Sequence, residues 1–224
     1  MIRLYFLLTI TMLAGIACNK SKTNSAKPGE GTVTYSITYP DSTQFSIKSV
    51  FFPRNLTLVF KDDKAAFITS AGMGTVQLVN LLDYKTKSYT SLLIDELRGN
   101  YACKLTDAEI KKNESNPEYE FELTNVSKEI AGIMCNKAIV KDMTNHTTSE
   151  LYYYDKIKFH YWNSPFKDLH YLFAEYTHTI NNLTLKLSAV KIDLTTPVDT
   201  GLFSVKGNYT WVTEKEFFER ISKL

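Results

Sequence analysis

The chain has 224 residues, with 26 Lys and Arg against 24 Asp and Glu, 44% hydrophobic and 13% aromatic residues, and nine Gly. A balance this close to neutral leaves no electrostatic footprint for nucleic acid, so no nucleic-acid partner is expected. Fourteen Tyr and thirteen Phe beside few helix-favouring runs point to sheet, and the length suffices for one domain with a full core.

Met1-Ile2-Arg3 carries a positive charge, Leu4 to Leu13 is almost wholly apolar, and Ala14-Gly15-Ile16-Ala17 leads into Cys18. That is the layout of an export signal over residues 1–17. Its apolar run is about half the ~20 residues a spanning helix needs, so it is not expected to persist as a membrane span. The stretch resembles a bacterial lipobox, in which cleavage leaves a lipidated cysteine, here Cys18, as the new first residue. Gly15 stands where such boxes usually carry Leu. The alternative is an ordinary signal in which Cys18 is incidental. Residues 18–30 then read as a lipidated flexible tether, because Asn19 to Gly31 is polar, rich in Lys, Ser and Gly, and without apolar periodicity. Some outer-membrane lipoproteins of the Bacteroidota carry an acidic run after the cysteine that routes them to the cell surface. Lys20 and Lys22 occupy that zone here, and Asn19 is not the Asp linked to inner-membrane retention in enteric bacteria. By resemblance, the expected location is the outer membrane, lipid-anchored and facing the periplasm.

One β-rich domain is expected over residues 31–224. It opens with Thr32 to Tyr39, where Val33, Tyr35, Ile37 and Tyr39 alternate with Thr and Ser. Ser46 to Phe52 is ambiguous, and Pro53 excludes a helix through it. Leu56 to Phe60 and Lys64 to Ser70 form a hairpin about Lys61-Asp62-Asp63. Val76 to Leu82 and Tyr89 to Ile94 form another about Asp83 to Thr86. Asn100 to Leu105 adds a strand, and Thr106-Asp107-Ala108-Glu109 has the spacing of a capping box that starts a short helix to Asn113. Tyr119, Phe121 and Leu123 alternate. Ile139-Val140 and Leu151 to Tyr154 supply further strands, and Phe173 to Ile180 and Leu183 to Leu194 flank Asn181-Asn182, a tight-turn pair. A second capping box, Thr213 to Glu216, precedes Phe217, Phe218, Ile221 and Leu224 at helical spacing.

Of the three cysteines, Cys103 and Cys135 remain after Cys18. A bridge between them, in an oxidising compartment, would stabilise by about 3–4 kcal/mol in the chain-entropy model. The alternative is two separate buried thiols. The chain carries no G-x-S-x-G elbow, H-E-x-x-H, P-loop or dinucleotide fingerprint. His170 and His178, if on one strand, would stand about 26 Å apart and could not share a metal. Asp62-Asp63 lies in a turn without calcium-loop spacing. No metal and no cofactor is expected, and no nucleophile–base pair can be placed, so an enzyme is not expected. Gly132 reads as a bulge or a close backbone approach within a strand that lets Ile130 and Ile133 both reach the core. The densest aromatic run is Tyr152, Tyr153, Tyr154, Phe159, Tyr161 and Trp162; alternation puts Tyr152 and Tyr154 on one face and Leu151 and Tyr153 on the other. These rings either pack a plain core or line a cavity wall.

Three stretches together resemble a large family of exported Bacteroidota proteins. They are Ser127 to Ala138 (SKEIAGIMCNKA), Glu150 to Asp155 (ELYYYD) and Leu202 to Tyr209 (LFSVKGNY). Tyr152 replaces a Trp and Lys206 a Pro common in that family. The family is held to be distantly related to the LolA and LolB lipoprotein carriers. The resemblance implies a mainly β fold, an antiparallel incomplete barrel with a few short helices over an apolar cavity. Tyr35, Ile37, Phe60, Phe67, Phe121, Tyr152 and Tyr154 are the candidate lining residues. Two functions follow as expectations. The first is a membrane-anchored, non-enzymatic binder of a lipid or other apolar molecule. The second is a structural lipoprotein that docks on another envelope protein and fills its cavity with its own side chains.

Overall fold

The computed structural model describes residues 29–40, 52–106, 119–144, 146–159, 166, 169–180 and 183–224. The export signal, Cys18, the tether, the helix expected from Thr106 to Asn113, His160, Tyr161, Trp162 and the Asn181-Asn182 turn lie outside that set or mostly so.

The described strands are β1 (Glu30–Thr38), β2 (Asn55–Lys61), β3 (Lys64–Ala71), β4 (Val76–Asp83), β5 (Ser88–Asp95), β6 (Tyr101–Leu105), β7 (Tyr119–Ile130), β8 (Ile133–Asp142), β9 (Thr147–Tyr154), β10 (Leu172–Ile180), β11 (Leu183–Asp193) and β12 (Thr210–Trp211). They build one open sheet in the order β12-β6-β5-β4-β3-β2-β1-β11-β10-β9-β8-β7. The chain is thus mainly β, made of two meanders joined where β1 pairs with β11. Every pairing is antiparallel except that of β12 with β6, which is parallel.

Local sequence accounts for the turns. The β2–β3 hairpin closes on Asp62 and Asp63, with Asp62 at φ +51. Asp83 Oδ1 accepts the Thr86 N–H at 3.0 Å and shapes the β4–β5 turn. Gly132 is not the strand bulge expected of it. Ile130 pairs with Ile133, and Ala131 (φ +50) and Gly132 (φ +83) are the two loop residues of the β7–β8 hairpin. Two left-handed residues match the right-handed twist of the strands they join, so that dipeptide turns the chain.

The apolar alternation of β1 buries Val33, Tyr35 and Ile37 on one face. Tyr35 reaches past β11, and its hydroxyl donates to the Phe173 carbonyl on β10 at 2.7 Å. At the start of β1 the buried Glu30 pairs with Lys61 at 2.7 Å and accepts the Val198 N–H at 3.1 Å, while Lys61 donates to the Val198 carbonyl. This knot fastens residues 194–209 against Val59, Ala66, Leu81 and Leu92. The last helix, α1 (Glu214–Ile221), has the expected capping box. Thr213 Oγ1 accepts the Glu216 N–H, and Glu216 Oε2 accepts the Thr213 N–H at 2.9 Å. Its Phe217 and Ile221 pack on Leu93 and Cys103.

Cys103 and Cys135 are both buried and unbridged, so the bridge weighed from sequence does not form. Cys103 on β6 belongs to the cluster under α1 and Cys135 on β8 to the main core, nine strand positions apart in the sheet.

Candidate binding site

Register assigns side chains to faces. Tyr35 stands beside Leu56 and Ala189, Leu58 beside Phe67, Phe60 beside Ala65, and Ala65 beside Leu82. In the other direction Ile37 stands beside Leu187, Leu187 beside Tyr176, and Leu185 beside His178. Phe173 aligns with Tyr153, and Phe121 with Val140. One face of the sheet from β4 round to β7 is therefore apolar and aromatic.

That face is concave. The Phe166 ring lies 5.2 Å from Tyr119 and 6.2 Å from Phe121 on β7, and also 6.0 Å from Phe173, 6.1 Å from Tyr176 and 6.2 Å from His178 on β10. Strands β7 and β10 are three positions apart, about 14 Å along a flat sheet, so the sheet curls around this ring. Phe159 makes a second inward contact, 5.3 Å from Phe60 and 6.3 Å from Tyr84. Phe166 and Phe159 are buried, yet Phe67, Tyr119, Phe121, Tyr176, Leu183 and Leu185 around them remain only half-buried. Apolar side chains deep in a concavity but still reached by solvent form a wall without full cover.

Burial sets the electrostatics of this wall. It pushes the Tyr176 phenol well above its ordinary value, and it pushes His178 below the usual imidazole value. Both groups are neutral at physiological pH. Opposite Phe67, Asn80 Oδ1 accepts the Ser91 hydroxyl at 2.8 Å, a polar pair on an otherwise apolar surface. The wall offers apolar area and uncharged hydrogen-bonding groups.

Of the lining residues expected from sequence, Tyr35, Ile37, Phe60, Phe67 and Phe121 share this face. Tyr152 and Tyr154 do not. Tyr152 stands beside Lys137 and Glu175, with the Lys128 ammonium 5.0 Å from its ring centre and its hydroxyl 3.5 Å from Glu150. Tyr154 follows it to that outer face by alternation, where it stands beside the buried Leu172. The physical reason is parity: Tyr153 is the residue opposite Phe173, which places its neighbours outward. Sequence reasoning missed Tyr176, His178, Leu185 and Leu187, although their period-two spacing in β10 and β11 was a usable signal. Phe166 belongs to a stretch with no apolar period and carried none.

Cys135 is held away from reactivity. Burial, with the nearby Asp155 carboxylate, pushes its thiol up to about 11, the wrong direction for a nucleophile. Among the described residues, no three His, Cys, Asp or Glu side chains are grouped to hold a metal ion.

No protein-family model matches the sequence, and no curated protein matches it significantly. Among solved structures, PNGF-II in space groups C2 and P21 is similar in fold, with TM-scores of 0.51 and 0.52 and 18% sequence identity. The alignments cover 87% of this chain and 33% and 34% of those chains, so this chain spans about a third of their length. At that identity the likeness concerns the fold alone.

Proposed function

We propose that this protein is a membrane-anchored envelope lipoprotein that holds a lipid acyl chain or similar apolar molecule against the concave face of a LolA-like half-barrel. The observation that carries the reading is the half-buried wall of Phe67, Phe121, Tyr176 and Leu185, apolar, uncharged and concave. An acyl chain needs continuous apolar area and gains nothing from charge, which matches that wall. The export signal and Cys18 supply the anchor on this reading, at the periplasmic side of the outer membrane, in a family of exported Bacteroidota lipoproteins. Native mass spectrometry of the protein released from its membrane in mild detergent tests it. A lipid-mass adduct beyond the anchor, lost on Phe67→Asp, supports the reading, and an adduct-free protein contradicts it.

One observation favours the second reading, a structural lipoprotein docking on an envelope protein. Phe166 is 2% exposed and fills the space between β7 and β10 with the protein's own ring. On that reading in-cell cross-linking yields one defined envelope protein, and Phe67→Asp leaves the cross-link unchanged.

A further inference from the structure

Strands β3 and β5 run in the same direction, so the β3–β4 and β5–β6 turns emerge at the same end of the sheet. The Glu96 N–H donates to the Thr75 carbonyl at 3.2 Å and ties the two turns together. From each projects one large apolar side chain, Met73 and Leu97, both 84% exposed.

Folding gives no account of either. Met73 has φ +56 and ψ 27 between Gly72 at φ +56 and Gly74 at φ +95, a left-handed run that disfavours any residue with a Cβ. Gly, Asn or Asp would suit both that backbone and the solvent. Leu97 stands on a turn fixed by the buried Asp95, whose Oδ1 accepts the Leu97 N–H at 2.9 Å and the Arg98 N–H at 3.1 Å. The turn is built by a carboxylate and presents the leucine outward. Beside it Arg98 lies 3.9 Å from the Asp95 carboxylate and donates to the Lys223 carbonyl at 3.1 Å, which brings the exposed Lys223 to this end. Glu96 is the one exposed acid within the two turns.

We propose that this end of the sheet dips into a lipid bilayer, with Met73 and Leu97 entering the apolar layer and Lys223 at the level of the anionic headgroups. Two apolar side chains on separate tight turns make neither a groove nor a flat face. A protein interface needs a packed, contiguous core, whereas a bilayer has no shape to match and accepts isolated apolar side chains beside cations. The contact lies about 25 Å from Glu30, at the opposite end of the strands, and does not depend on lipidation at Cys18.

Met73→Cys, Leu97→Cys and, as a mid-sheet control, Val190→Cys proteins are each labelled with an environment-sensitive fluorophore. Val190 is 59% exposed on β11, and the native Cys103 and Cys135 are buried. Labelling of the unsubstituted protein sets any background from Cys18. Each protein is mixed with phosphatidylethanolamine–phosphatidylglycerol vesicles carrying acyl-brominated lipid. The proposal expects several-fold brightening and quenching by the bromine at positions 73 and 97 and neither at 190. Met73→Ser introduced into the labelled Leu97→Cys protein should reduce the response at 97 without lowering the melting temperature. Probes at 73 and 97 that stay in water, or a response at 190 equal to theirs, overturn it.

Discussion

Strands β4–β6 are covered by the protein's own chain on both faces: α1 seals Leu93 and Cys103, and residues 194–209 seal Leu81 and Leu92. Strands β7–β11 are treated otherwise. Their outer face is charged, with Glu175 paired to Lys128 and Lys186 and with Lys141 paired to Glu122, and their inner face keeps Tyr119, Phe121, Tyr176 and Leu185 half-buried. The contrast separates apolar surface spent on holding the fold from apolar surface left for something else. Substitutions beneath α1 should register as lost stability, and substitutions on the half-buried inner wall, Phe67 on β3 included, as lost binding on the proposed reading.

The largest effect on stability is expected at Phe217, 1% exposed beneath α1. Phe217→Ala should cost about 3–5 kcal/mol in denaturant unfolding, because the helix leaves a cavity over Leu93 and Cys103. Tyr176→Leu on the inner wall should cost under about 1.5 kcal/mol, since the ring there is only partly enclosed. Equal costs at both positions would erase the distinction between the halves. Next comes Glu30→Ala, which leaves the Val198 N–H and Lys61 without their partner. About 2–3 kcal/mol is expected, less than for a fully buried pair because Lys61 is a quarter exposed. Thr213→Ala should remove about 1 kcal/mol by uncapping α1, with circular dichroism showing the helix lost first on heating.

A pH series sharpens the role of residues 194–209. The backbone N–H groups of Thr196 and Thr195 hold the Asp193 carboxyl well below the usual aspartate value. A depressed carboxyl contributes stability that is fully present above the unfolded aspartate value of about 4 and is lost as pH falls toward the folded one. The difference in unfolding midpoint between wild type and Asp193→Asn should thus be greatest near neutrality and shrink progressively below about pH 4. A pH-independent difference would contradict it. The smallest effect is expected at Met73, where Met73→Asn relieves left-handed strain and should raise stability by up to about 1 kcal/mol.

Much of this architecture was legible in the sequence because period-two alternation is strong wherever one face is buried. Val33, Tyr35 and Ile37 announced β1, and Leu56 to Phe60 announced β2. The Thr213–Glu216 capping box announced α1. What escaped was information carried by neighbours. Nothing local distinguishes Gly132 as a turn from Gly132 as a bulge; the pairing of Ile130 with Ile133 decides it. Alternation split the Tyr152–Tyr154 run correctly into two faces, but which face turns inward depends on the register of β9 against Phe173. The parallel β12 is two residues long, too short for any periodic signal. Phe166 gains its meaning only from five rings that come from β7 and β10.

Uptake of a fluorescent fatty acid, titrated into wild type, Phe67→Asp and Tyr152→Ser, puts the inner wall against the outer face in one assay. Saturable uptake by wild type and Tyr152→Ser, competed by unlabelled fatty acid and weakened at least about tenfold in Phe67→Asp, is the predicted result. No saturable uptake by wild type, or equal uptake by all three proteins, would contradict it.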